Sequence, residues 1–140
     1  MLSKVLIQIT NNKFGVEIGG PSPENIIYEN AISMDNVIFS KDTIWACHDE
    51  EYNYYKNKKG KVIINDSVNI FLVNDETYDF CFASHCLEHI ANPLKAIDEW
   101  LRIVKKNGYI IIIVPESLVV LTIKEIIQNF QPYCQNMKIM

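Results

Sequence analysis

The chain has no cluster of five or six basic residues, and its 140 residues carry 13 lysines and arginines against 17 aspartates and glutamates. The resulting net charge of −4 offers no strongly positive face to a phosphate backbone or to an anionic membrane surface. We therefore expect neither a nucleic-acid-binding protein nor a membrane-bound one. A small, uncharged or cationic ligand suits this charge balance better.

Long apolar runs and paired cysteines are also missing. No run reaches the roughly 20 apolar residues that would cross a bilayer. The first ten residues, MLSKVLIQIT, lack the charged start and the long apolar core of a signal peptide. The four cysteines are scattered and never form a C-x-x-C pair, which argues against a zinc knuckle or a disulfide framework. We expect a cytoplasmic protein with reduced thiols.

Short apolar runs separated by turn residues make up most of what is present. Apolar residues account for 49% of the chain, which is enough for one globular domain with its own core. Helical segments alternate with five predicted strands, at residues 14–18, 31–34, 61–65, 78–83 and 109–114. This alternation predicts an α/β fold with an open, mainly parallel sheet of about five strands and flanking helices. The polar, tyrosine-rich segment 40–61 ends in a predicted surface turn.

The most informative stretch is residues 78–115, which predict a strand, a short polar turn, a helix and a second strand. Asn92 is a suitable N-cap with Pro93 at the first helical position, and Asn107-Gly108 predicts the end of the helix. Four consecutive isoleucines, residues 110–113, suit a strand that is buried on both faces. Ligands of open parallel sheets lie at the carboxyl ends of the strands, so the polar turn after residue 83 predicts a ligand site.

Three acidic residues, Glu17, Asp35 and Asp66, each close a predicted strand. Either they are ordinary turn residues, or a parallel sheet gathers them into one crevice. A pyrophosphate suits such a crevice poorly, and the fingerprint G-x-G-x-x-G is absent from residues 15–23. S-adenosylmethionine suits it better, because carboxylates can serve its ammonium, sulfonium and ribose hydroxyls. We expect Asp35 to accept both ribose hydroxyls.

Two segments resemble class I S-adenosylmethionine-dependent methyltransferases. Residues 16–22, VEIGGPS, resemble the first glycine motif of that family, and residues 78–115 resemble its fourth strand through its fifth. The phrase SHCLEHI at 84–90, followed by the Asn92-Pro93 helix start, is similar to the type 11 group that acts on small molecules. The resemblance covers residues 14–116 and implies a Rossmann-like fold.

The resemblance also implies the activity and the site. The activity would be transfer of a methyl group from S-adenosylmethionine to an unidentified small-molecule or saccharide-type acceptor. The glycine motif would contact the methionine moiety, the second strand the ribose and the third strand the adenine. The implied cofactor-binding residues are Glu17, Gly19, Gly20, Asp35, Asp66, Ser67 and Ser84. In the turn beside the sulfonium, His85 and His89 are candidate general bases, since a neutral imidazole suits proton removal.

Two alternatives remain open at this point. One is a non-catalytic module that keeps the sheet but not the transfer site. The other is a zinc hydrolase, because His85, Glu88 and His89 match the H-x-x-E-H pattern in which two histidines of one helix bind zinc. That chemistry needs a helix, and only a turn's length of chain lies between residue 83 and the helix start at Asn92. We therefore expect no metal site.

The resemblance stops after residue 116. Family members usually continue with two more strands, so we predict a methyltransferase core at 1–116 and an atypical segment at 117–140, with weak or no activity. One explanation is a frameshift: with freely chosen codons, the neighbouring frame of residues 121–125 can read FDHKR, which resembles the segment after the fifth strand in methyltransferases encoded near surface-polysaccharide genes. Without later strands, residues 109–114 would form an apolar edge that invites a homodimer, unless residues 118–130 cover it as a helix.

Overall fold

A computed structural model describes residues 2–22, 25–42, 51–115 and 117–122. The elements follow one another as α1 Leu2–Thr10, β1 Phe14–Ile18, α2 Ile26–Asn30, β2 Ser33–Ile38, β3 Glu51–Tyr55, β4 Lys58–Ile64, β5 Tyr78–Ser84, a 3₁₀ turn Leu87–His89, α3 Pro93–Ile103, β6 Val104–Val114 and β7 Ser117–Thr122. Hydrogen bonds join all these strands in one sheet with the order β3-β4-β2-β1-β5-β6-β7.

The five central strands run parallel, which confirms the predicted Rossmann-like α/β fold. The chain passes outward from β1 through β2 to β4, and then returns to the other side of β1 through β5 and β6. The direction of winding therefore reverses between β1 and β5. Such a switch point is where open α/β sheets bind their ligands.

An antiparallel strand at one edge, β3, lies in the segment that the sequence describes as polar. β3 pairs with β4, and its Tyr54 is buried edge-on against Tyr28, with ring centroids 5.5 Å apart. β4, which pairs with β3, approaches β2 closely at Gly60, where a Cβ would lie 1.5 Å from Met34 O. The strand depends on these tertiary contacts, which the polar composition does not reveal.

At the opposite edge, β7 overturns the prediction that residues 109–114 are exposed. All six residues of β7 pair with β6 in antiparallel register, so a further strand follows residue 114 where the sequence predicts none. Residues 109–114 are therefore not an exposed edge, and the reason for predicting a homodimer through them does not hold. The helix predicted over residues 118–130 is wrong for 118–122, and residues 123–130 lie outside the described part of the chain.

Two apolar layers cover the two faces of the sheet. The layer under α3 includes Ala96, Trp100, Ile103, Val16, Ile18, Val37, Cys81, Ala83 and Ile110. The layer under α1 and α2 includes Leu6, Ile9, Ile27, Tyr28, Met34, Phe80, Phe82 and Ile111. The helices α1, α2 and α3 have 9, 5 and 11 residues. Across the described ranges, no helix combines the length and the apolar character needed to span a membrane.

Helix α3 begins where the sequence predicts and ends earlier. Asn92 Oδ1 accepts a hydrogen bond from the first turn at 3.1 Å, which confirms the predicted N-cap. The helix ends at Ile103 and not at residues 107–108. The amides of Glu76 and Thr77 bond to its last carbonyls at 2.9 and 2.8 Å, so those carbonyls are satisfied by the loop and the chain enters β6 at once.

Arg102, in the last turn of α3, holds the long connection between β4 and β5. Its guanidinium donates to Ile70 O at 2.9 Å and to Val73 O at 3.0 Å. It also bonds to both carboxylate oxygens of Glu99, at 2.7 and 3.0 Å, and to Asp75 at 2.6 Å. The connection that leaves the carboxyl end of β4 is thereby fixed to α3.

Candidate active site at the carboxyl edge of the sheet

The carboxyl ends of the parallel strands lie level with one another. Backbone bonds cross this edge from Gly19 N to β2 at 2.9 Å, from Asn65 N to β2 at 3.0 Å and from His85 N to β6 at 2.8 Å. The residues that follow β1, β2, β4 and β5 therefore come together. We call this edge the carboxyl ledge, which consists of residues 19–20, 39–40, 65–66 and 85–86.

Two glycines form the sharp turn that leaves β1. Gly19 and Gly20 have φ angles of +80° and +67°, a left-handed conformation that favours glycine. A Cβ on Gly20 would lie 2.5 Å from Glu17 Oε1, and a Cβ on Gly19 would lie 3.2 Å from Cys86 Sγ. The backbone conformation therefore disfavours a side chain at both positions, and at Gly20 there is also no space for one. The glycine motif of the sequence is a tightly held turn at the switch point between β1 and β5.

Glu17 is completely buried and holds this turn in place. Its Oε1 accepts hydrogen bonds from Ser22 N at 2.9 Å and from Ser22 Oγ at 2.5 Å, and its Oε2 accepts from the hydroxyl of Tyr28. Burial raises the pKa of the Glu17 carboxyl, and the bonds from Ser22 and Tyr28 partly oppose that rise. Both oxygens are occupied by the chain itself, so Glu17 acts on the turn. Its contact with a methionine moiety stays a prediction.

Two buried asparagines also fix the ledge, and sequence reasoning missed both. Asn36, only 2% exposed, donates from Nδ2 to Gly19 O at 2.6 Å. Asn65, only 5% exposed, accepts at Oδ1 from Leu72 N at 3.0 Å. The signal available in the sequence was a single amide beside an apolar run, since Val-Ile-Phe follows Asn36 and Val-Ile-Ile precedes Asn65.

Asp35 does not lie at the ledge, and the prediction that it closes a strand is wrong. β2 continues through it to Ile38, so three residues of strand, about 10 Å, separate it from the ledge. Its Oδ1 accepts from Lys61 N at 2.9 Å and its Oδ2 from the hydroxyl of Tyr78 at 2.6 Å. These bonds satisfy the carboxylate inside the sheet. Asp35 therefore joins β2 to β4 and β5, away from the other predicted site residues.

Asp66 and Ser67 lie directly after β4, where the sequence places them. Asp66 Oδ1 accepts from Val68 N at 3.0 Å, which is the local bond of a turn-forming aspartate. Ser67 O accepts from Trp100 Nε1 at 3.0 Å, so this turn is anchored to α3. The turn-residue alternative is thus realised at Asp66. A contact of either residue with adenine stays a prediction.

The turn after β5 carries the two candidate bases. Ser84 is the last residue of β5, and His85 follows with a φ of +48°. The imidazole of His85 is 59% exposed, and its Nδ1 lies 3.6 Å from Glu88 Oε1. His89 ends the 3₁₀ turn and is also exposed. The structure brings Ser84 and His85 to the switch point, and the catalytic role of either histidine stays a prediction.

The arrangement of these histidines contradicts the zinc hydrolase. His85 precedes the 3₁₀ turn and His89 ends it, so the two are not on one face of an α-helix. Among the described residues, no group of three histidine, cysteine, aspartate or glutamate side chains is placed to hold a metal ion. The H-x-x-E-H pattern therefore lacks the helix that the zinc hydrolase requires.

Cys86 packs between the glycine turn and the turn after β5. Its Sγ lies beside Gly19, only 3.2 Å from the position that a Cβ on that glycine would take. Burial raises the pKa of the Cys86 thiol to about 11, and Glu88 and Glu17 add to the effect. The thiol is therefore neutral at pH 7 and serves as a packed side chain.

Exposed apolar side chains at the ledge and beside it are a further feature that sequence reasoning missed. Phe39, directly after β2, is 75% exposed, and Phe71 and Leu72, after β4, are 71% and 62% exposed. Asn65 links the segments that carry these side chains. Its backbone N–H donates to Ile38 O, next to Phe39, and its Oδ1 accepts from Leu72 N. Apolar surface exposed beside a polar ledge is typical of ligand or partner sites.

Comparison with known proteins supports one family. The sequence matches the family model described as a methyltransferase domain, the type 11 group, over residues 38–112, which is more than half of the chain. No curated protein sequence matches the chain. Many solved structures share its fold, and three of them illustrate the likeness.

A Bacillus halodurans protein named as a proposed methyltransferase has a TM-score of 0.60 at 15% identity, covering 79% of this chain and 49% of its own. A proposed S-adenosylmethionine-dependent methyltransferase from Methanococcus maripaludis gives 0.58 at 19%, covering 79% and 52%. A proposed Haloferax volcanii methyltransferase, in complex with the Trm112 activator, gives 0.58 at 13%, covering 79% and 50%. The chain spans about half the length of these structures, whose likeness shows the fold. With the family match, the chain belongs to the type 11 methyltransferase domain family.

Proposed function

We propose that this chain binds S-adenosylmethionine at the carboxyl ledge and transfers its methyl group to an acceptor of the small-molecule or saccharide type. The observation that carries the proposal is the glycine turn, which lies at the switch point beside the Ser84 turn. The bound cofactor supplies an activated methyl group. The residues of the chain have to bind the cofactor, orient the acceptor and exclude water.

The glycine turn fits the methionine moiety. Glu17 and Cys86 occupy the space where side chains of Gly20 and Gly19 would lie, so the backbone of the turn is held in a fixed position for a ligand. Asp35 is not part of the proposed site, because its carboxylate is satisfied inside the sheet. We place the ribose against residues 39–42, where Asp42 offers a carboxylate and its amide bonds to Ser40 Oγ at 3.1 Å. A carboxylate can accept both ribose hydroxyls.

Adenine fits the neighbouring part of the ledge, after β4. The Asp66 carboxylate can accept from the exocyclic amine of the base. Phe39 and Phe71 offer flat apolar surface, exposed to 75% and 71%, on which a base can stack. Ser67 is held by Trp100, so its position in the turn is fixed before a ligand arrives.

His85 is the better placed of the two histidines to take a proton from the acceptor. It directly follows Ser84 at the switch point, whereas His89 lies one 3₁₀ turn further along the chain. Glu88 lies 3.6 Å from Nδ1 of His85. A carboxylate beside Nδ1 favours the tautomer whose Nε2 can accept a proton.

The chemistry of the chain also bears on its acceptor and surroundings. An acidic chain without a cluster of five or six basic residues favours a small molecule or saccharide over a nucleic acid. The cytoplasm remains the proposed compartment. The Haloferax volcanii neighbour is in complex with an activator protein, and an activating partner is a proposal for this chain as well.

Calorimetric titration with S-adenosylmethionine and S-adenosylhomocysteine tests the proposal. We expect the wild type to bind both. Gly20→Ala is expected to bind at least roughly tenfold more weakly, because its methyl group would lie 2.5 Å from Glu17 Oε1. Lys95→Ala, on the exposed side of α3, is the control and is expected to bind normally.

Two results would decide against the proposal or for its alternative. Lack of binding by the wild type would contradict the cofactor site. Binding without methyl transfer to any small-molecule acceptor would favour the non-catalytic module.

A further inference from the structure

Tyr28 closes a hydrogen-bonded triangle behind the glycine turn. Its side chain belongs to α2 and is 1% exposed. Its hydroxyl donates to Glu17 Oε2, and the hydroxyl oxygen accepts from Ser22 N at 2.9 Å. Ser22 completes the triangle by donating to Glu17 Oε1 from its amide at 2.9 Å and from its hydroxyl at 2.5 Å. Three elements, β1, the glycine turn and α2, are thus joined through these side chains.

Packing alone does not explain the hydroxyl of Tyr28. The ring lies in an apolar layer with Ile27, Met34 and Phe82, and phenylalanine would fill the same space. A buried hydroxyl costs free energy unless it is hydrogen-bonded. Burial, together with the charge of Glu17, raises the pKa of Tyr28 far above its ordinary value, so the group stays a donor at physiological pH. The bonds it makes are those to the glycine turn.

The two residues that bond to Tyr28, Glu17 and Ser22, also supply the atoms nearest to the position that a Cβ on Gly20 would take. A Cβ on Gly20 would be 2.5 Å from Glu17 Oε1 and 2.9 Å from Ser22 N. Whatever holds these two groups therefore sets the path of the backbone at Gly20. The other end of the turn is held separately, by Asn36 on Gly19 O at 2.6 Å.

We propose that Tyr28 is a positioning residue for the cofactor-binding turn: through Glu17 and Ser22 it holds Gly20 in the conformation that receives the ligand. The identity of the ligand, S-adenosylmethionine, rests on the proposed function, whereas the position of the turn does not. A turn that is ordered before binding has no ordering cost to meet when the ligand arrives. Loss of the hydroxyl should therefore weaken binding as well as loosen the turn.

The test compares Tyr28→Phe with Tyr54→Phe in the full chain. Tyr54 packs edge-on against Tyr28 in the same layer, with ring centroids 5.5 Å apart, but its hydroxyl is outside the triangle. Two quantities are measured by nuclear magnetic resonance and calorimetry: the hydrogen-exchange rate of the Ser22 amide, and the affinity for S-adenosylmethionine. In Tyr28→Phe we expect exchange about tenfold faster and binding roughly 5–20-fold weaker, with neither change in Tyr54→Phe.

A second variant, Ser22→Ala, keeps the test decisive if Tyr28→Phe folds poorly, because residue 22 lies in a loop. It removes the bond from Ser22 Oγ to Glu17, so it should weaken binding too. Both substitutions act through Glu17, so their effects on affinity should not add. The double variant should bind S-adenosylmethionine about as weakly as whichever single variant binds it less well.

Each result has a definite meaning for the inference. Unchanged exchange of the Ser22 amide in Tyr28→Phe would overturn it, whether or not a ligand binds. Fully additive losses of affinity in the double variant would overturn it as well. If the wild type fails to bind S-adenosylmethionine, the proposed function is refuted, and the exchange rates still decide whether Tyr28 positions the turn.

Discussion

Replacing Arg102 by lysine is expected to lower the free energy of unfolding by about 2–4 kcal/mol. The guanidinium makes five hydrogen bonds, at 2.6 to 3.0 Å, to Glu99 and to the connection between β4 and β5. A lysine ammonium is a point charge on a flexible stem and cannot reproduce this planar fork. The connection should therefore loosen in Arg102→Lys although the charge is kept.

The size of this loss in stability follows from the acceptors that would lose the guanidinium as their hydrogen-bond donor. The carbonyls of Ile70 and Val73 each lose a charged donor, at about 1–2 kcal/mol apiece. Glu99, whose side chain is 16% exposed, loses a bidentate partner that the ammonium replaces in part. Asp75 is 74% exposed, so its ion pair with Arg102 contributes little. The two carbonyls thus account for most of the expected loss.

Urea denaturation at pH 7 measures the loss, with Lys105→Ala as the control. Lys105 pairs with Asp79 at 2.9 Å, but its side chain is 48% exposed, so its removal should cost less than about 1 kcal/mol. A loss in Arg102→Lys below about 1 kcal/mol, or equal to that in the control, would refute the view that the fork holds the connection.

Three further variants test other parts of the structure. The hydrogen bond from Arg102 lowers the pKa of Glu99, so its contribution to stability is complete above the unfolded-state pKa of 4.5 and is lost as the pH falls through the folded value. The stability gap between wild type and Glu99→Gln in urea should accordingly shrink below pH 4.5, and a constant gap would contradict this assignment. Lys58 donates to two carbonyls at the end of α2, at 2.6 and 2.7 Å. Lys58→Met should lower stability by about 1–2 kcal/mol in thermal unfolding, and an unchanged midpoint would argue against these bonds. Asp35→Asn should lower stability and leave the affinity for S-adenosylmethionine within about twofold, whereas a large loss of affinity at unchanged stability would return Asp35 to the ribose.

The strand, turn, helix and strand of residues 78–115 could be predicted because their signals are local. Asn92 caps the helix with its own side chain, and four isoleucines in a row suit a strand covered on both faces. The glycine turn could be predicted for the same reason. Its two positive φ angles favour glycine whatever surrounds them.

The extent of β2 and the edge strands depended on partners distant in the chain. Asp35 stays inside a strand because Lys61 N and the Tyr78 hydroxyl satisfy it, and these groups lie 26 and 43 residues away. β3 is stabilised by the burial of Tyr54 against another element. The triangle of Glu17, Ser22 and Tyr28 is a contact of three separate elements, so a motif of adjacent letters could not reveal it.

The central claim is that the cofactor lies on the carboxyl ledge between β1 and β5, and amide chemical-shift mapping tests it most directly. The isotope-labelled chain is titrated with S-adenosylhomocysteine, and the shifts are assigned along the chain. We expect them to concentrate at Gly19, Gly20 and His85. We expect none at Lys13 and Asp79, which lie at the amino-terminal ends of β1 and β5. Shifts centred on the amino-terminal ends of the strands, or no shifts at saturating ligand, would contradict the account.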